Sequence, residues 1–101
     1  MAYVASGLKL LNGGLSNSSC NTWLLDTTDA IATVNTSNYV SDGVSRGMQQ
    51  GDLVWVRTRA SLPAGAVSAV HLCFVLDVGT GTDTLGVDLT DGLAVTPTDT
   101  D

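Results

Sequence analysis

Two alternating runs of side chains, Leu53–Arg59 and Ala66–Val78, constrain the fold more than any other feature of the sequence. In the first run, every second side chain from Leu53 to Arg59 shares one face of a strand, and the side chains between them share the other face. Both faces are apolar near its start, so this strand is expected to begin in the core and to emerge towards Arg57 and Arg59. The second run is the longest apolar stretch of the chain, which predicts a central strand.

The composition favours β-structure over helices. All ten acidic residues are aspartates, and they outnumber the four basic residues, so the net charge is -6. Glutamate and lysine commonly fill exposed helical faces, whereas Asp, Thr, Asn and Gly prefer turns, caps and strands. A chain of 101 residues suits one domain. The sequence therefore predicts a mainly β protein, a single small antiparallel β-sandwich or β-barrel with an extended N-terminal arm and at most one short helix.

The first half of the chain is expected to contain an arm, a hairpin and a helical turn. Residues 1–22 combine a weakly apolar start with a polar, glycine-containing loop, which predicts an N-terminal arm and loop. Trp23–Thr27 and Ala30–Val34 are predicted to form two strands of a hairpin. Ser41–Met48 could form one short helical turn, with Ser41 as its N-terminal cap.

The C-terminal portion carries a second hairpin signal. Asp91 and Gly92 separate two apolar runs, Thr84–Leu89 and Leu93–Thr96. Asp-Gly in this position predicts that the two runs pair as a hairpin. The β-domain is therefore expected to span residues 23–96, and the polar residues 97–101 are expected to form a flexible tail.

Glycines and aspartates between Val78 and Gly92 are spaced like one calcium-binding turn of a parallel β-helix. Such a turn needs a neighbouring copy, because successive turns hold each ion between them, and the sequence has no internal repeat. We interpret this stretch as ordinary connections between strands, which use the same residue types. A weak isolated calcium site at Asp83, Asp88 or Asp91 stays open as an alternative, but the sequence predicts no metal or cofactor.

Catalytic, nucleic-acid and membrane functions lack sequence support. His71 lies in a strand pattern without a positioned partner, so it is expected to be packed, and no enzyme activity is predicted. Cys20 and Cys73 lack metal-ligand spacing; Cys73 is expected to be a buried thiol, Cys20 an exposed one, and a disulfide would need oxidising conditions. The acidic balance disfavours nucleic acid. The start of the chain lacks a secretion signal, and no apolar run suffices for a membrane span, which predicts synthesis in a cytoplasm.

The remaining candidates are side chains of the types that anchor protein interfaces. We expect the tryptophans to be used more in the core than in an interface, because five aromatic residues must help to fill the interior. The two strand arginines are the better interface candidates, although pairing with a carboxylate of the protein itself is the alternative. The candidate interface residues are Tyr3, Trp23, Tyr39, Trp55, Arg57 and Arg59.

The segment 22–57 resembles a group of small virion proteins of tailed bacteriophages that are encoded among the head genes. The residues that carry the resemblance are the aromatic strand Trp23–Thr27, Thr28-Asp29, Ala32-Thr33-Val34, Tyr39, and Gly51-Asp52 before the strand Leu53–Val56. The resemblance implies a capsid decoration, or cement, protein on the outer capsid surface that bridges major capsid subunits, commonly as a homotrimer. It also implies synthesis in the bacterial cytoplasm. Many relatives have a second aromatic residue where this sequence has Val40.

Two other hypotheses stay open. The chain could be a phage tail or connector protein, or a β-domain displayed on the virion that binds a host receptor or glycan. A calcium-dependent adhesion or toxin fragment is the third hypothesis, and it depends on the Asp/Gly-rich stretch 78–92.

Overall fold

The computed structural model describes residues 3–12, 21–62, 64–79 and 85–96. Within these ranges the chain forms a single mixed sheet of six strands, two short α-helices and one 3-10 turn at Ala5–Gly7. The strands and helices are, in chain order, β1 (Leu8–Asn12), β2 (Thr22–Thr27), α1 (Ile31–Val34), α2 (Gly43–Arg46), β3 (Leu53–Arg59), β4 (Val67–Val78), β5 (Val87–Leu89) and β6 (Leu93–Ala94).

The strand order is β1-β2-β3-β4-β5, and β6 pairs with β4 beyond the end of β5. The neighbours β2 and β3 run parallel, with Thr22 opposite Leu53, and the other pairs are antiparallel. The predicted mainly β class is confirmed. An antiparallel sandwich or barrel is not confirmed, because the described sheet is open and mixed. The parallel pair arises because the chain between β2 and β3 crosses the sheet and carries both helices.

The two alternating runs form the strands that the sequence predicts. The first is β3, and the second is β4, which lies between β3 on one side and β5 and β6 on the other. Trp55 of β3 stands opposite Leu72 of β4. Side chains that alternate with this pair, such as Val54 and Cys73, are buried, so the period-two pattern identified both strands and the faces of β3. In β4 the faces are correct as far as Val75, beyond which the register shifts and Val78 packs against the core instead of sharing the face of Leu72.

Ala30–Val34 is not the second strand of a hairpin. Its last four residues form α1, and β2 pairs with β1 and β3 instead. The burial pattern explains the helix, because Ile31 and Val34 lie three residues apart and pack together with the core, whereas Ala32 between them is exposed. A window of five residues is too short to separate this spacing from strand alternation.

The helical turn within Ser41–Met48 is confirmed in part. It is α2, so the described chain has two short helices where at most one was expected. The capping residue is Asp42, not Ser41, and its side chain makes no capping hydrogen bond. Gly43 is required at the start of α2, since an added Cβ atom would lie 2.3 Å from a methyl carbon of Val87.

The predicted C-terminal hairpin is also corrected. Asp91 and Gly92 do form a connection, and Gly92 has a φ of 89°, but β5 and β6 each pair with β4 and not with each other. Both short strands therefore form their backbone hydrogen bonds with the same edge of β4. Of the expected N-terminal arm, Leu8–Asn12 forms the edge strand β1. The rest of the loop at 13–20, Cys20 and the tail 97–101 lie outside the described residues.

The hydrophobic core lies between one face of the sheet and the segment that contains both helices. Val34, Tyr39, Val40 and Met48 from this segment join the inward side chains of the strands in one cluster. Burial of these apolar side chains supplies the main favourable term of folding. Neither described helix is long and apolar enough to span a membrane. The opposite face of the sheet carries no helix in the described part of the chain, and it is the candidate site.

Candidate interaction face

The face of the sheet that points away from both helices is called the open face below. Its centre is a row of apolar side chains that crosses four strands, because Leu24, Trp55, Leu72 and Leu93 are successive cross-strand partners. Cross-strand partners project from the same side of a sheet. The row is extended by Leu53 and Phe74, and its charged end is formed by Lys9, Asp26, Arg57 and Arg59.

The apolar part of the open face is accessible to solvent. Leu93 is 71% exposed, Phe74 44% and Leu53 38%. Leu53 and Phe74 lie next to the half-buried Trp55, and Leu93 lies next to Leu72. Folded monomers rarely expose contiguous apolar surface of more than a few hundred Å², and larger patches commonly mark interaction sites. The single exposed leucines found on most proteins need no explanation, but a row of apolar neighbours across a sheet does.

At the other end of the open face, three cations surround one carboxylate. Asp26 is only 2% exposed, and Arg57 donates two hydrogen bonds to it, from Nε to Oδ1 at 2.7 Å and from Nη2 to Oδ2 at 3.0 Å. Arg59 Nε lies 3.3 Å from Oδ1 and Lys9 Nζ 3.6 Å from Oδ2. The paired hydrogen bonds fix the guanidinium plane, which is the geometry in which an arginine–carboxylate contact is strong.

The cluster lowers the pKa of Asp26. Burial alone would raise the pKa of this carboxyl group, but the hydrogen bond and charge of Arg57, with those of Arg59, outweigh burial and hold it below the ordinary value of 3.8. Arg59 is fixed further, since its Nη1 donates to the carbonyl oxygen of Gly65 at 2.7 Å. Both arginines therefore pair with a carboxylate of the protein, and both remain at the edge of the open face.

The structure separates the predicted interface residues into two groups. Arg57 and Arg59 lie on the open face. Trp55 lies there too, half-buried and outside the core, so the core role expected for this tryptophan is wrong. Trp23 and Tyr39 are buried in the core on the helix side, with exposures of 3% and 2%, so the core role expected for Trp23 is confirmed. Tyr3 is half-buried and packs edge-on against the ring of Tyr39, with 5.8 Å between the ring centroids.

Both tyrosine hydroxyl groups are held by aspartates on the helix side. Tyr39 donates to Asp29 Oδ2 at 2.7 Å and lies 2.9 Å from Thr27 Oγ1, while Tyr3 donates to Asp42 Oδ1 at 2.5 Å. Burial, followed by the neighbouring carboxylate, raises the pKa of Tyr3 well above its ordinary value. Burial also raises the pKa of Tyr39, to about 12, against the opposing effect of the hydrogen bond with Thr27 and with a further rise from Asp29.

These shifts predict that neither tyrosine ionises near pH 10 while the protein is folded. A group whose pKa is raised by folding stabilises the protein below its unfolded pKa, and this contribution is lost as the pH rises through the folded pKa. Stability should therefore fall between about pH 10 and pH 12. Absorbance at 295 nm should show little tyrosinate at pH 11 in the folded protein and full ionisation after denaturant is added. Ionisation of both residues near pH 10 without unfolding would contradict the hydroxyl–carboxylate contacts.

Two of the three aspartates considered as calcium ligands, Asp88 and Asp91, hold the loop that follows α1. The Asp88 carboxylate accepts a hydrogen bond from the backbone N–H of Asn38, and Asp91 Oδ1 accepts one from Asn35 Nδ2 at 3.3 Å. They line an open depression of about 370 Å³. Among the described residues, no three His, Cys, Asp or Glu side chains are close enough to hold a metal ion. Asp83 lies outside the described residues.

His71 and Cys73 lie side by side on the core face of β4. Cys73 is a buried free thiol, as predicted, and burial raises its pKa to about 11, which disfavours the nucleophilic thiolate. His71 is half-buried, and its Nδ1 has no hydrogen-bond partner among the described atoms. A thiol of raised pKa is a poor nucleophile at neutral pH.

Several residues of the open face were not selected from the sequence: Lys9, Leu24, Asp26, Leu72, Phe74 and Leu93. Two signals could have found them. A lone aspartate within the apolar strand Trp23–Thr27 requires a cation, and Arg57 with Arg59 on one face of another strand supplies one. In addition, both faces of β4 are apolar, whereas the segment between β2 and β3 that contains α1 and α2 packs against only one of them.

Comparisons with known proteins found no matching family model, no matching curated protein and no matching solved structure.

Proposed function

We propose that this chain is a non-enzymatic structural protein of a bacteriophage virion, which decorates the capsid and stabilises it by bridging major capsid subunits. The observation that carries the proposal is the open face, with its row of exposed apolar side chains beside a cationic cluster. A decoration protein needs a rigid scaffold with a surface ready to bind, and it needs no catalytic group. The resemblance of residues 22–57 to head-encoded virion proteins supports the identity of the partner.

The size of the open face supports attachment through several copies. Seven residues of β3 span roughly 23 Å, and the strand spacing gives about 20 Å across the sheet, hence a flat area of roughly 450 Å². A standard specific interface uses about 800 Å² from each partner. One copy therefore makes a modest contact, and a homotrimer on the outer capsid surface gains firm attachment through effective concentration.

The mechanism of stabilisation is mass action. A protein that binds the assembled lattice and not the free subunits shifts the equilibrium towards the lattice, by an amount that grows with its free concentration relative to Kd. Aspartate and tyrosine side chains such as Asp26, Asp52 and Tyr39 are used to hold the fold. Such a division of roles, with polar groups inside the scaffold and apolar groups on one face, suits a cement protein.

Cryo-electron microscopy of the virion that carries this chain tests the proposal directly. Density for the sheet in threefold clusters over the shell, with the open face against capsid subunits, is the expected result. Density confined to one vertex or to the tail would reject decoration and would favour a connector or a receptor- or glycan-binding role. Shells that lack the protein should also lose their contents at a lower temperature than complete shells.

A pair of variants tests whether the open face makes the contact. Phe74→Ser with Leu93→Ser removes two exposed apolar side chains from this face and is expected to weaken binding to shells at least tenfold, because each lost contact costs about 1 kcal/mol or more. Val4→Ser with Leu85→Ser removes two exposed apolar side chains elsewhere and serves as the matched control. Co-sedimentation with shells measures both. Equal loss in the two variants, or none in either, would contradict attachment through the open face.

A further inference from the structure

The charge on the open face differs in sign from that of the whole protein. Lys9, Arg57 and Arg59 surround Asp26 alone, so the cluster has a formal charge of +2 in a chain of net charge -6. The fourth basic residue, Arg46 at the end of α2, donates to the carbonyl oxygens of Ala5 and Leu8 and pairs with Asp42. The open face is thus the cationic region of an acidic protein, and electrostatic complementarity requires a partner that presents carboxylates there.

The cluster keeps hydrogen-bonding capacity for such a partner. Arg57 uses Nε and Nη2 for Asp26, its side chain is 32% exposed, and a guanidinium carries five N–H donors. Lys9 is 52% exposed and only 3.6 Å from Asp26 Oδ2, a distance at which its ammonium retains donors for other groups. Asp26 itself is 2% exposed, so the carboxylate within the cluster is not offered outward in return.

The same charges argue against a second copy of this chain as the occupant. Two open faces stacked with their clusters against each other would bring two groups of charge +2 together, and the Asp26 carboxylate of each is buried. Unpaired like charges in an interface cost free energy. Nucleic acid is disfavoured as well, because a chain of net charge -6 repels a polyanion and the apolar row offers nothing to phosphates.

The order of side chains along β3 defines the partner further. Leu53, Trp55 and Arg57 project from the open face in the order apolar, apolar, cationic, at intervals of about 6.6 Å. A strand packed face to face on a sheet projects its own side chains at the same interval and lies nearly along the strands below it. The complementary sequence is therefore apolar-x-apolar-x-acidic.

We infer that the open face binds an extended segment of another protein, which presents two apolar side chains and a carboxylate on one side, with the carboxylate on Arg57 and Lys9. This inference rests on the proposed function, because it describes the capsid subunit surface that the same face would contact. It adds a chemical specification of that surface, which can be tested without any virion.

The test uses two cyclised β-hairpin peptides that present Val-x-Val-x-Glu or Val-x-Val-x-Lys on one face, titrated into the isotope-labelled protein and followed by NMR. The Glu peptide should perturb amide signals of β3 and β4 and the indole signal of Trp55, and the Lys peptide should bind at least tenfold more weakly. Lys9→Gln should weaken the Glu peptide about two- to fivefold, as for one solvent-exposed ion pair.

Ser41→Asp is the matched control, because it changes the net charge by the same amount at an exposed position on the helix side; it should leave the affinity unchanged. Equal affinity for the two peptides, perturbation away from the open face, or no binding at millimolar concentration would overturn the inference. Dimerisation of the protein through this face, or preferential binding of single-stranded DNA, would overturn it too. If shells bind but Lys9→Gln has no effect, the proposed function survives and the inference fails; if the Glu peptide binds but shells do not, the reverse holds.

Discussion

Replacing Asp26 by Asn is expected to lower the free energy of unfolding by about 3 kcal/mol. The substitution keeps the shape of the side chain but removes the charge that neutralises Arg57, Arg59 and Lys9. Asp26 is 2% exposed and the Arg59 side chain only 14%, so the guanidinium of Arg59 would remain largely buried beside two other cations. The expected loss lies at the lower end of the usual range for a broken buried ion pair, because Arg57 and Lys9 are reached by solvent.

Thermal and urea unfolding measure this effect. For a domain of this size, a loss of about 3 kcal/mol lowers Tm by more than about 10 °C. Asp77→Asn is the matched control, since it removes the same charge from an exposed position and should change stability by less than about 0.5 kcal/mol. A loss below about 1 kcal/mol for Asp26→Asn would mean that solvent screens the cluster.

The difference in stability between wild type and Asp26→Asn should also depend on pH. The folded pKa of Asp26 is below 3.8, so its contribution to stability is present above that value and is lost as the pH falls through the folded pKa. The difference in stability between wild type and Asp26→Asn should therefore be constant near neutral pH and shrink below about pH 4. A difference that stays constant down to pH 2 would show that the Asp26 charge is not the source of the stabilisation.

The strands that the sequence predicted best are those whose pattern is long and regular. β3 was predicted to the residue, and β4 differs from its prediction by one residue at the start. β3 alternates between its two faces over seven residues, and β4 is the longest apolar run of the chain, with β-branched side chains that suit a strand. The failure at Ala30–Val34 has the same origin, since five residues containing two alanines fit both a strand and a helical turn.

Strand pairing could not be predicted in the same way. Alternation specifies the faces of a strand but not its neighbour, and β2 is next to β3 only because the segment with α1 and α2 crosses the core face between them. The Asp-Gly signal at 91–92 was interpreted locally as a hairpin. The two flanking strands are three and two residues long, too short to be stable as an isolated pair, and both gain more from the edge of β4.

The candidate site was predicted in part for a related reason. Trp55, Arg57 and Arg59 were selected because their residue types are common in interfaces, whereas Lys9, Leu72 and Leu93 join them only through pairing across strands that are distant in sequence. Tyr39 and Trp23 have equally suitable side chains, but the alternation of β2 and the position of the helical segment turn both into the core.

Asp52 is the second position at which one substitution should have a large effect. Its carboxylate is 1% exposed and accepts hydrogen bonds from Trp23 Nε1 at 3.0 Å and from the backbone N–H groups of Gln49 at 3.0 Å and Asn21 at 3.1 Å. It thereby connects the start of β2 to the start of β3, where the parallel pairing begins. Parallel neighbours cannot be joined by a tight hairpin, so this carboxylate aligns two strand starts that the chain itself leaves apart.

Asp52→Ala is expected to lower the free energy of unfolding by about 3 kcal/mol, because a buried indole N–H and two backbone donors lose a charged acceptor. Asp52→Asn should cost about half as much, since its Oδ1 can still accept from some of these donors. Urea unfolding gives both values, and NMR should show faster hydrogen exchange at the Trp23 indole than at amides in the middle of β4. A similar loss from the exposed control Asp77→Ala would contradict this prediction.

A double-mutant cycle with Trp23→Phe isolates the contact between the indole and the carboxylate. Phe retains most of the apolar burial of Trp23, which is 3% exposed, but lacks the N–H donor. If the hydrogen bond to Asp52 is formed, the double variant should lose about 1 kcal/mol less than the sum of the two single variants. Strict additivity would mean that Asp52 stabilises the protein through its backbone donors alone, and the start of the β2–β3 pair would then depend on Asn21 and Gln49.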